Sequence, residues 1–478
     1  MNLKKNVLLK ISKIVAFFIV FCFVVAIAYN VLSWKDTTGD YYSTMKQLEA
    51  TDSGLIDVVF VGSSQVYCDI YPCFIWENTG ISSFDMTVSS MDKDSSCHYL
   101  KELLKSQSPK VVFVDLYALT FDEHEVDGNI YRNMLSLKPS YNSISLVNDY
   151  FEDKDVDKLD YYFRFPIVHT RYKELKRFDY TEFKPNNFLR GESVSFVTKK
   201  ADKSPSADTE YESDELTPKN KKWLDALYEL SVKNNFELVL IKTPFYAYKP
   251  HQTQIEAARV FADSNNIKFL DMNKHLDEIG FDFETDFMDN NHTNAYGAKK
   301  IADYLSDYMV NNFDLPNHQG DSKYWQWDKD LEFYNRESLK KELSECTNIY
   351  QVSNLLLDDR FTDFYAIISA ENSGASQGEK DYYFDALKYC GINADDFGRG
   401  GKWLFYNKNI EFLMPNELSS AVRMVDLNKY DSLSVKYNGD SHPENVMIGA
   451  NDYSNGDSYI SVTIYDNLLE EVLIQYKY

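Results

Sequence analysis

Two short segments that lie far apart in the sequence contain the side chains of a nucleophilic serine site. The first, Val59-Phe-Val-Gly-Ser-Ser-Gln65, is an apolar run that stops at a glycine and two serines. Such a run predicts a buried strand, with Ser64 at its carboxyl end. The second, Asp289-Asn-Asn-His-Thr-Asn294, places a carboxylate and an imidazole three positions apart. On one turn of helix both would face the same side, so Asp289 could orient His292.

Together these residues supply a hydroxyl, a base and a group that orients the base. On this interpretation His292 takes the proton of Ser64 as the hydroxyl attacks an ester carbonyl, and Asp289 fixes the tautomer of the imidazole. An acyl-enzyme that water resolves makes the protein an esterase, and one that a sugar hydroxyl resolves makes it an O-acyltransferase. The alternative is that Ser64 is a turn residue and that residues 289–292 cap the last helix.

Short apolar runs alternate with helical patterns through the first two thirds of the chain. Strands are predicted at residues 55–61, 83–87, 111–116, 237–243 and 268–270, and helices at 92–106, 218–234, 252–264 and 295–312. This alternation predicts an α/β fold with a parallel sheet covered on both faces. Ligands of such sheets bind beyond the carboxyl ends of the strands, where residues 62–64 would lie.

The remaining segments define the predicted domain boundaries. The α/β domain covers residues 36–315, and a segment rich in Tyr, Phe, Lys and Asp at about 120–215 interrupts it as a cap or substrate insertion, with a polar, mobile end at 199–215. Residues 316–344 are predicted to be a linker. Residues 345–478 are predicted to form a small α+β domain, with strands at 363–370, 403–410, 432–437, 459–465 and 471–476 and a helix at 380–389.

The N-terminus predicts a membrane anchor. Lys4, Lys5, Lys10 and Lys13 precede an apolar run that continues to Trp34, about 20 residues, which is the length that crosses a bilayer as a helix. Because the lysines come first, residues 1–35 should form a cytoplasmic tip and a signal anchor, with the remainder of the chain outside. A cleaved signal peptide is the alternative, since residues 26–28 resemble a small-residue cleavage site.

Composition narrows the classes of partner. The formal net charge of −24 argues against nucleic acid, which requires a clustered basic face. Aromatic residues make up 15% of the chain and include 36 tyrosines, which are compatible with packing or with stacking against sugars. None of the six cysteines shows a CxxC spacing, so no structural zinc is indicated, and no motif indicates a cofactor or a catalytic metal.

The serine and histidine segments resemble the first and last sequence blocks of the SGNH/GDSL hydrolase superfamily. The resemblance covers roughly residues 56–309 without the insertion, and it is nearest to the membrane-anchored, extracytoplasmic members that act on acyl groups of bacterial surface polymers. Gly62-Ser63-Ser64 corresponds to the first block. Asp289-x-x-His292 corresponds to the last, and it continues as His292-Thr-Asn-Ala-Tyr-Gly-Ala298, similar to the HxNxxGA that follows this histidine in the group. The resemblance implies a flavodoxin-like parallel sheet and a Ser64, His292, Asp289 triad.

Two other blocks depart from the pattern. Where the family has a glycine whose amide helps to bind the oxyanion, this chain has Ser89 and Ser90, and the resemblance implies that one of their amides acts with that of Ser64. The Gly-x-Asn-Asp of the third block is absent, and Val114-Asp-Leu-Tyr117 occupies its place. This puts an oxyanion-binding side chain in doubt.

Two further segments resemble parts of known families. Pro166-Ile-Val-His-Thr-Arg171 is similar to a P-x-x-H-x-R segment of the membrane-anchored members, which makes His169 and Arg171 candidates for substrate or cap contacts; a hydrogen-bonded histidine and a surface arginine are the alternative. The C-terminal domain resembles the FAM3/ILEI-like domain through residues 363–370, 387–391 and 458–466. That resemblance implies carbohydrate association or structural support.

The sequence therefore predicts a single-pass cell-membrane protein with an extracellular serine esterase or O-acyltransferase domain that acts on O-acetyl groups of a bacterial surface polysaccharide. Its partners would be the lipid bilayer and the polysaccharide, and a membrane-bound O-acyltransferase would be a compatible acyl donor. Two alternatives stay open. One is a catalytically degenerate, carbohydrate-binding component of a polysaccharide export or modification assembly, and the other is a lipid or phosphodiester hydrolase.

Overall fold

The chain divides into two compact units, residues 1–333 and 334–478. The computed structural model describes residues 2–33, 41–120, 133–134, 136–152, 155–175, 177–180, 189–204, 207–244, 247–371, 374–415, 422–427, 432–436, 445–456, 458–467 and 471–478. Each unit is described by itself.

The first unit is built on a parallel sheet of five strands. The strands are β1 Val58–Gly62, β2 Ser83–Thr87, β3 Val111–Asp115, β4 Glu237–Lys242 and β5 Lys268–Asp271. Their order is β2-β1-β3-β4-β5, and every neighbouring pair is parallel. All residues of the first three strands are buried. Burial on both faces explains the apolar runs of β1 and β3, whereas in β2 the buried polar residues Ser83, Asp85 and Thr87 alternate with Phe84 and Met86. The predicted α/β fold with a parallel sheet is confirmed.

Helices connect the strands and account for most of the rest of this unit. They are α1 Asn2–Leu32, α2 Tyr41–Ala50, α3 Ser64–Asp69, α4 Pro72–Thr79, α5 Lys93–Leu103, α6 Tyr141–Tyr150, α7 Leu159–Phe163, α8 Phe165–Val168, α9 Pro218–Asn234, α10 Lys249–Ser264, α11 Leu276–Ile279 and α12 Ala295–Asn312. Short 3-10 helices cover Leu116–Thr120, His169–Lys173, Arg177–Tyr180, Met272–Lys274 and Ser322–Tyr324. The predicted helices are present, with ends that differ by a few residues.

The start of β1 differs from the prediction for an identifiable reason. The side-chain oxygen of Gln107 accepts hydrogen bonds from the backbone N–H groups of Gly54, Leu55 and Ile56, at 3.0–3.3 Å. A side chain thus satisfies these amides, so they need no partner strand. The strand therefore begins at Val58, three residues later than the apolar pattern suggested.

The stretch predicted to be a linker contains a long helix, α13 Trp325–Glu345, and the division between the two units falls inside it. Trp327 is fully buried in the first unit, where its indole N–H donates to the carbonyl of Ser83 at 2.9 Å. Leu339 and Leu343 are buried in the core of the second unit. Charged residues separate these apolar positions, so the composition of the stretch resembled that of a linker.

The second unit contains two antiparallel sheets and a few short helices. One sheet has the order β14-β13-β6-β7-β8 and the other β12-β11-β10-β9. The strands are β6 Phe364–Ala370, β7 Gly401–Tyr406, β8 Asn409–Pro415, β9 Val422–Asp426, β10 Ser432–Lys436, β11 Asn445–Ile448, β12 Asn451–Asp452, β13 Ile460–Asp466 and β14 Glu471–Lys477; the helices are α14 Ile349–Leu356, α15 Gln377–Leu387 and α16 Ala394–Arg399, and a 3-10 turn follows α15 at Lys388–Cys390.

The single strand predicted at residues 403–410 is wrong. The chain reverses at Asn407 and Lys408, whose φ angles are +47° and +58°, and β7 and β8 form a hairpin around them. Two successive residues with positive φ are typical of the tight turn that matches the twist of paired strands. The predicted strand joined the apolar residues 403–406 to Ile410 across three polar residues, and those polar residues form the turn and the start of β8.

The end of β1 requires a glycine because α3 comes very close to it. A Cβ atom on Gly62 would lie 2.4 Å from Cγ2 of Val66 and 3.0 Å from Cβ of Asp115. Gly62 therefore permits the sharp passage from strand to helix that places Ser64 at the edge of the sheet.

We expect Gly62→Ala to lower the free energy of unfolding by about 1–3 kcal/mol, because the added methyl group overpacks a buried contact. Urea unfolding of residues 36–478, without the N-terminal apolar helix, measures the loss. The double variant Gly62→Ala, Val66→Ala removes the closest contact, so its loss should be about 1 kcal/mol smaller than the sum of the two single losses. A loss in the double variant equal to the sum of the two single losses would contradict the close contact between residue 62 and Val66.

Candidate active site

Ser64 lies at the carboxyl edge of the sheet, where strand order reverses. It is the first residue of α3, directly after β1, and it is partly exposed, whereas its neighbour Ser63 is buried. In the order β2-β1-β3-β4-β5 the connections from β1 and β2 run to opposite sides, which leaves a crevice between β1 and β3. The hydroxyl is therefore placed where open parallel sheets bind ligands.

The structure brings His292 and Asp289 to this hydroxyl. Nε2 of His292 lies 2.8 Å from Oγ of Ser64, and Nδ1 lies 3.0 Å and 2.9 Å from the two carboxylate oxygens of Asp289. A carboxylate only accepts hydrogen bonds, so Nδ1 carries the proton and Nε2 is free to accept the serine proton. The three side chains form one continuous relay with hydrogen-bonding distances throughout.

The predicted helical turn for Asp289 and His292 is wrong. Residues 288–292 form a tight turn, closed by a bridge between Phe287 and Thr293 and by a hydrogen bond from the N–H of Met288 to the carbonyl of His292 at 3.0 Å. One carboxylate oxygen of Asp289 accepts the backbone N–H groups of residues 291 and 292, at 2.8 Å and 2.9 Å. Asp289 thus fixes the backbone of the histidine as well as its ring.

The alternative that residues 289–292 cap the last helix is also wrong. The N-cap of α12 is Asn294, whose side-chain oxygen accepts the N–H groups of Tyr296 and Gly297 at 3.0 Å and 3.2 Å. Its side-chain amide donates to the carbonyl of Thr285 at 2.7 Å. Because Asn294 provides the cap, Asp289 and His292 are not required for that purpose.

The electrostatics of Asp289 suit an orienting carboxylate. Partial burial on its own would raise the pKa of this group, but the hydrogen bonds from His292 and from the N–H of Asn291 outweigh it and lower the pKa below the usual value. Asp289 is therefore ionised at neutral pH. An ionised partner stabilises the imidazolium that forms when His292 takes a proton.

A buried carboxyl group that the sequence analysis missed holds the other side of the histidine turn. Asp69, in α3, accepts the backbone N–H of Thr293 at 2.9 Å and its hydroxyl at 3.0 Å. The hydroxyl of Thr293 is also 3.1 Å from the carbonyl of Cys68. Helix α3, which starts at Ser64, is thus hydrogen-bonded to the residue after His292. These bonds couple the position of the Ser64 hydroxyl to that of the His292 ring. The position of Asp69, five residues after Ser64, was the sequence feature that could have indicated this contact.

The returning part of the insertion also braces the site. Its N–H group at Ser193 donates to the carbonyl of Tyr67 at 2.8 Å, and the carbonyl of Ser195 accepts the N–H of Ala295 at 2.7 Å. Residues 199 and 201 continue this pattern by donating to carbonyls of Phe287 and Phe283. The described beginning of the segment that was predicted to be mobile is thus hydrogen-bonded along the histidine loop.

Gly297 follows the histidine because the first turn of α12 approaches that loop closely. A Cβ atom there would lie 2.4 Å from the carbonyl oxygen of Asp286 and 2.9 Å from Cβ of Thr293. The close packing and the helix cap at this junction therefore explain why the His292–Ala298 segment contains Gly297 and Asn294.

Ser89 and Ser90 form a turn directly after β2, and the paired residues Gly62 and Thr87 bring this turn to the same sheet edge as Ser64. Ser90 has a φ of +52°, the left-handed region that favours glycine, and its carbonyl accepts the side-chain amide of Asn133 at 3.4 Å. The backbone conformation that a glycine would adopt is thus kept with a serine. Both amides stay predicted oxyanion donors.

Asp115 occupies the region where the resemblance would place an asparagine, but it is buried below the site. Its carboxylate accepts the N–H of Tyr117 at 3.0 Å and that of Thr243 at 3.4 Å. Burial raises the pKa of Asp115 to about 7, although these hydrogen bonds pull it in the opposite direction. Its described contacts tie β3 to β4.

The two candidates in the insertion lie in a different environment from the triad. Arg171 is 7% exposed, and its guanidinium donates to the carbonyl of Ser33 at 2.9 Å and to Asp179 at 2.6 Å. The pairing with Asp179 is a contact within the insertion, the predicted cap, and the surface arginine of the alternative is wrong because Arg171 is buried. A substrate contact of Arg171 stays a prediction. His169 is exposed, and its Nδ1 lies 2.6 Å from the carbonyl of Pro166; its substrate contact stays a prediction.

All six cysteines are free thiols. Among the described residues, no group of three or more His, Cys, Asp or Glu side chains is arranged to hold a metal ion.

Comparisons with known proteins give little for this chain. No protein-family profile matches it, and no curated protein matches it. Among solved structures, it is similar to the crystal structure of Zn(II)-bound AdcA from Streptococcus pneumoniae, with 9% sequence identity and a TM-score of 0.14 over 87% of this chain and 95% of that one. A TM-score this low does not indicate a shared fold, and no property of that protein is carried over.

The raised pKa of Asp115 predicts a stability that depends on pH. Between the ordinary aspartate pKa near 4 and about 7, the folded protein keeps a proton that the unfolded chain releases, so this group lowers the free energy of unfolding as pH rises through that range. In Asp115→Asn the group stays neutral. We therefore expect the free energy of unfolding of the variant, relative to that of the wild type, to rise by on the order of 2–4 kcal/mol as the pH increases from 4.5 to 7.5.

Urea unfolding of residues 36–478 of the wild type and of Asp115→Asn at several pH values measures this difference. Parallel stability curves for the two proteins across the range would contradict the raised pKa.

Proposed function

We propose that this protein is a membrane-anchored, extracytoplasmic serine esterase or O-acyltransferase that acts on ester-linked acyl groups, most simply O-acetyl groups, of a bacterial surface polysaccharide. The observation that carries the proposal is the relay from Oγ of Ser64 through His292 to Asp289, at 2.8 Å and 2.9 Å. A serine hydroxyl, an imidazole and an ionised carboxylate in this order form an activated nucleophile.

The first half of the reaction forms an acyl-enzyme. Nε2 of His292 takes the hydroxyl proton of Ser64 while Oγ bonds to the ester carbonyl carbon, and the carbonyl electron pair moves to oxygen. When the tetrahedral intermediate collapses, the bond to the leaving alkoxide breaks and the imidazolium gives its proton to that oxygen. Asp289 keeps the ring in place through both proton transfers.

The second half regenerates the serine. A water molecule or a sugar hydroxyl loses its proton to Nε2 of His292 as it attacks the acyl carbon, and the bond to Oγ breaks as Ser64 takes that proton back. Water gives hydrolysis, and a sugar hydroxyl gives transfer. The amides of Ser64 and of Ser89 or Ser90 would stabilise the oxyanion in both halves.

The fold supports an SGNH-type assignment without deciding it. The serine follows the first strand of a β2-β1-β3-β4-β5 parallel sheet, and the histidine turn comes after the last strand and directly before the last helix of that sheet domain. The capping Asn294 and the close contact at Gly297 account for the sequence that follows the histidine. Two departures remain: Ser90 at positive φ in the predicted oxyanion turn, and Asp115 in the region where the resemblance would place an asparagine.

The N-terminal helix supports the proposed location. Residues Lys10–Leu32 are long and apolar enough to cross a membrane, as a span or as a signal sequence, and no other helix of the described chain meets that test. Lysines precede the apolar segment, so a retained helix would place the serine site outside the cell. An outward-facing esterase next to the membrane meets envelope polymers rather than cytosolic metabolites.

A specific observation favours one alternative, carbohydrate binding without catalysis. In the second unit Tyr350, Tyr382 and Tyr389 are exposed, and the rings of Tyr350 and Tyr382 lie 5.1 Å apart. Exposed aromatic rings can stack against sugar rings. This alternative predicts sugar binding with an unreactive Ser64.

We expect a fluorophosphonate to modify Ser64 and to leave the adjacent Ser63 untouched. Only the hydroxyl that is hydrogen-bonded to His292 is activated, while the hydroxyl of Ser63 is buried and has no hydrogen-bond partner. Peptide mass mapping of the labelled ectodomain measures this. Ser63→Ala is the matched control and should label like the wild type, whereas Ser64→Ala should not label. Modification at another serine, or at none between pH 6 and 9, would exclude the proposed nucleophile.

We expect His292→Ala to lower kcat/KM for p-nitrophenyl acetate by about 10³-fold or more, and Asp289→Asn by a smaller factor, with little change in melting temperature. Asn294→Ala is the contrasting variant, because it removes the cap of α12 and the buried hydrogen bond to Thr285 and should cost about 2–3 kcal/mol of stability. Ester turnover and thermal unfolding of the same preparations separate the two effects. Retained turnover in His292→Ala would argue for the carbohydrate-binding alternative.

A further inference from the structure

The C-terminal end of α1 is held by the insertion of the first unit. In α1, whose side chains are described from Lys10 on, residues 10–24 are exposed and partial burial begins at Val25. There the elements α8, His169–Lys173 and Arg177–Tyr180 contact it. If α1 crosses the membrane, these elements must lie at the surface where the helix leaves the bilayer.

Arg171 makes this attachment specific. Its guanidinium reaches the carbonyls of Val31, Leu32 and Ser33, at 3.4 Å, 3.4 Å and 2.9 Å, and it is paired with the buried carboxylate of Asp179 at 2.6 Å. The last carbonyls of a helix have no partner within the helix and carry partial negative charge. A buried arginine that satisfies them fixes the helix end to the insertion. This contact must lie at the level of the lipid headgroups, because an ion pair is costly in the acyl layer.

The same short segment exposes large apolar and aromatic side chains to solvent. Leu159, Phe163, Tyr172 and Tyr180 are 55%, 72%, 61% and 67% exposed. A single exposed apolar side chain is common in a water-soluble domain, but these four lie within residues 159–180, the stretch that also contacts the end of α1. Aromatic side chains are favoured at the boundary between headgroups and acyl chains, where the ring is partly buried and a hydroxyl stays hydrated. Lys158 and Lys173 are adjacent to two of them and are suited to lipid phosphates.

We infer that Leu159, Phe163, Tyr172 and Tyr180 form a second membrane contact, inserted at the outer headgroup boundary around the point where α1 leaves the bilayer. This contact rests on the membrane anchor in the proposed function. One helix alone would leave the extracellular domain free to tilt and rotate about its axis. A second contact beside the helix end holds the domain, and with it Ser64, in one orientation towards the membrane surface.

The full-length protein in nanodiscs of phosphatidylcholine and phosphatidylglycerol tests this inference. A photoreactive p-benzoylphenylalanine replaces Phe163, Tyr172 or Tyr180 in turn, and lipid adducts are counted by mass spectrometry after irradiation. All three positions are exposed, so the substitutions should not disturb folding. Tyr248, which is 67% exposed outside this segment, is the matched control, and Phe21 in α1 reports on the anchor.

We expect about tenfold more lipid adduct at Phe163, Tyr172 and Tyr180 than at Tyr248, because the probe reacts only with groups that it touches. Adducts at Phe21 with none at these three positions would overturn the second contact and leave the anchor standing. Equal adducts at Tyr248 would overturn it as well, because lipid contact would then not be confined to this face. Absence of adducts at Phe21 would instead show that the anchor itself has failed, and the inference with it, whereas ester turnover reports on the serine site independently.

Discussion

The hydrogen bond between Ser64 and His292 joins two residues that are 228 positions apart in the chain. Its 2.8 Å length depends on the register of the parallel sheet, because β1 delivers the serine and the chain beyond β5 delivers the histidine. A shift of about 1 Å between these elements would weaken the bond and the proton transfer that it permits. Much of the surrounding structure can be understood as a means of preventing that shift.

Three contacts fix the distance from different directions. Gly62 lets α3 sit directly on the strand end, Asp69 ties that helix to the backbone and hydroxyl of Thr293, and Asp289 holds both the ring and the backbone of His292. None of these groups has to touch a substrate to matter. Since the interactions share partners, their loss should not be additive, and a substitution at one of them would alter the placement of the others.

The sequence predicted the fold and the site best where a residue pattern is compatible with few structures. The buried strands could be predicted from their apolar runs, and the site from two segments taken together: a serine at the end of the first strand and an aspartate three residues before a histidine after the last one. The helical turn assigned to that pair was wrong, because spacing of three residues is also met in a tight turn that Asp289 closes with its own side chain. Asp69 and the Arg171 contact depend on segments that meet only in the fold. The hairpin at Asn407 and Lys408 was missed because positive φ is available to residues other than glycine.

The central claim is that Ser64 is acylated during turnover, and rapid mixing of the ectodomain with p-nitrophenyl acetate, followed by acid quenching and peptide mapping, tests it most directly. The account predicts p-nitrophenolate release accompanied by an acetyl group on Ser64, and neither in Ser64→Ala. Turnover that survives Ser64→Ala, with no acetyl group on Ser64 at any time point, would contradict it.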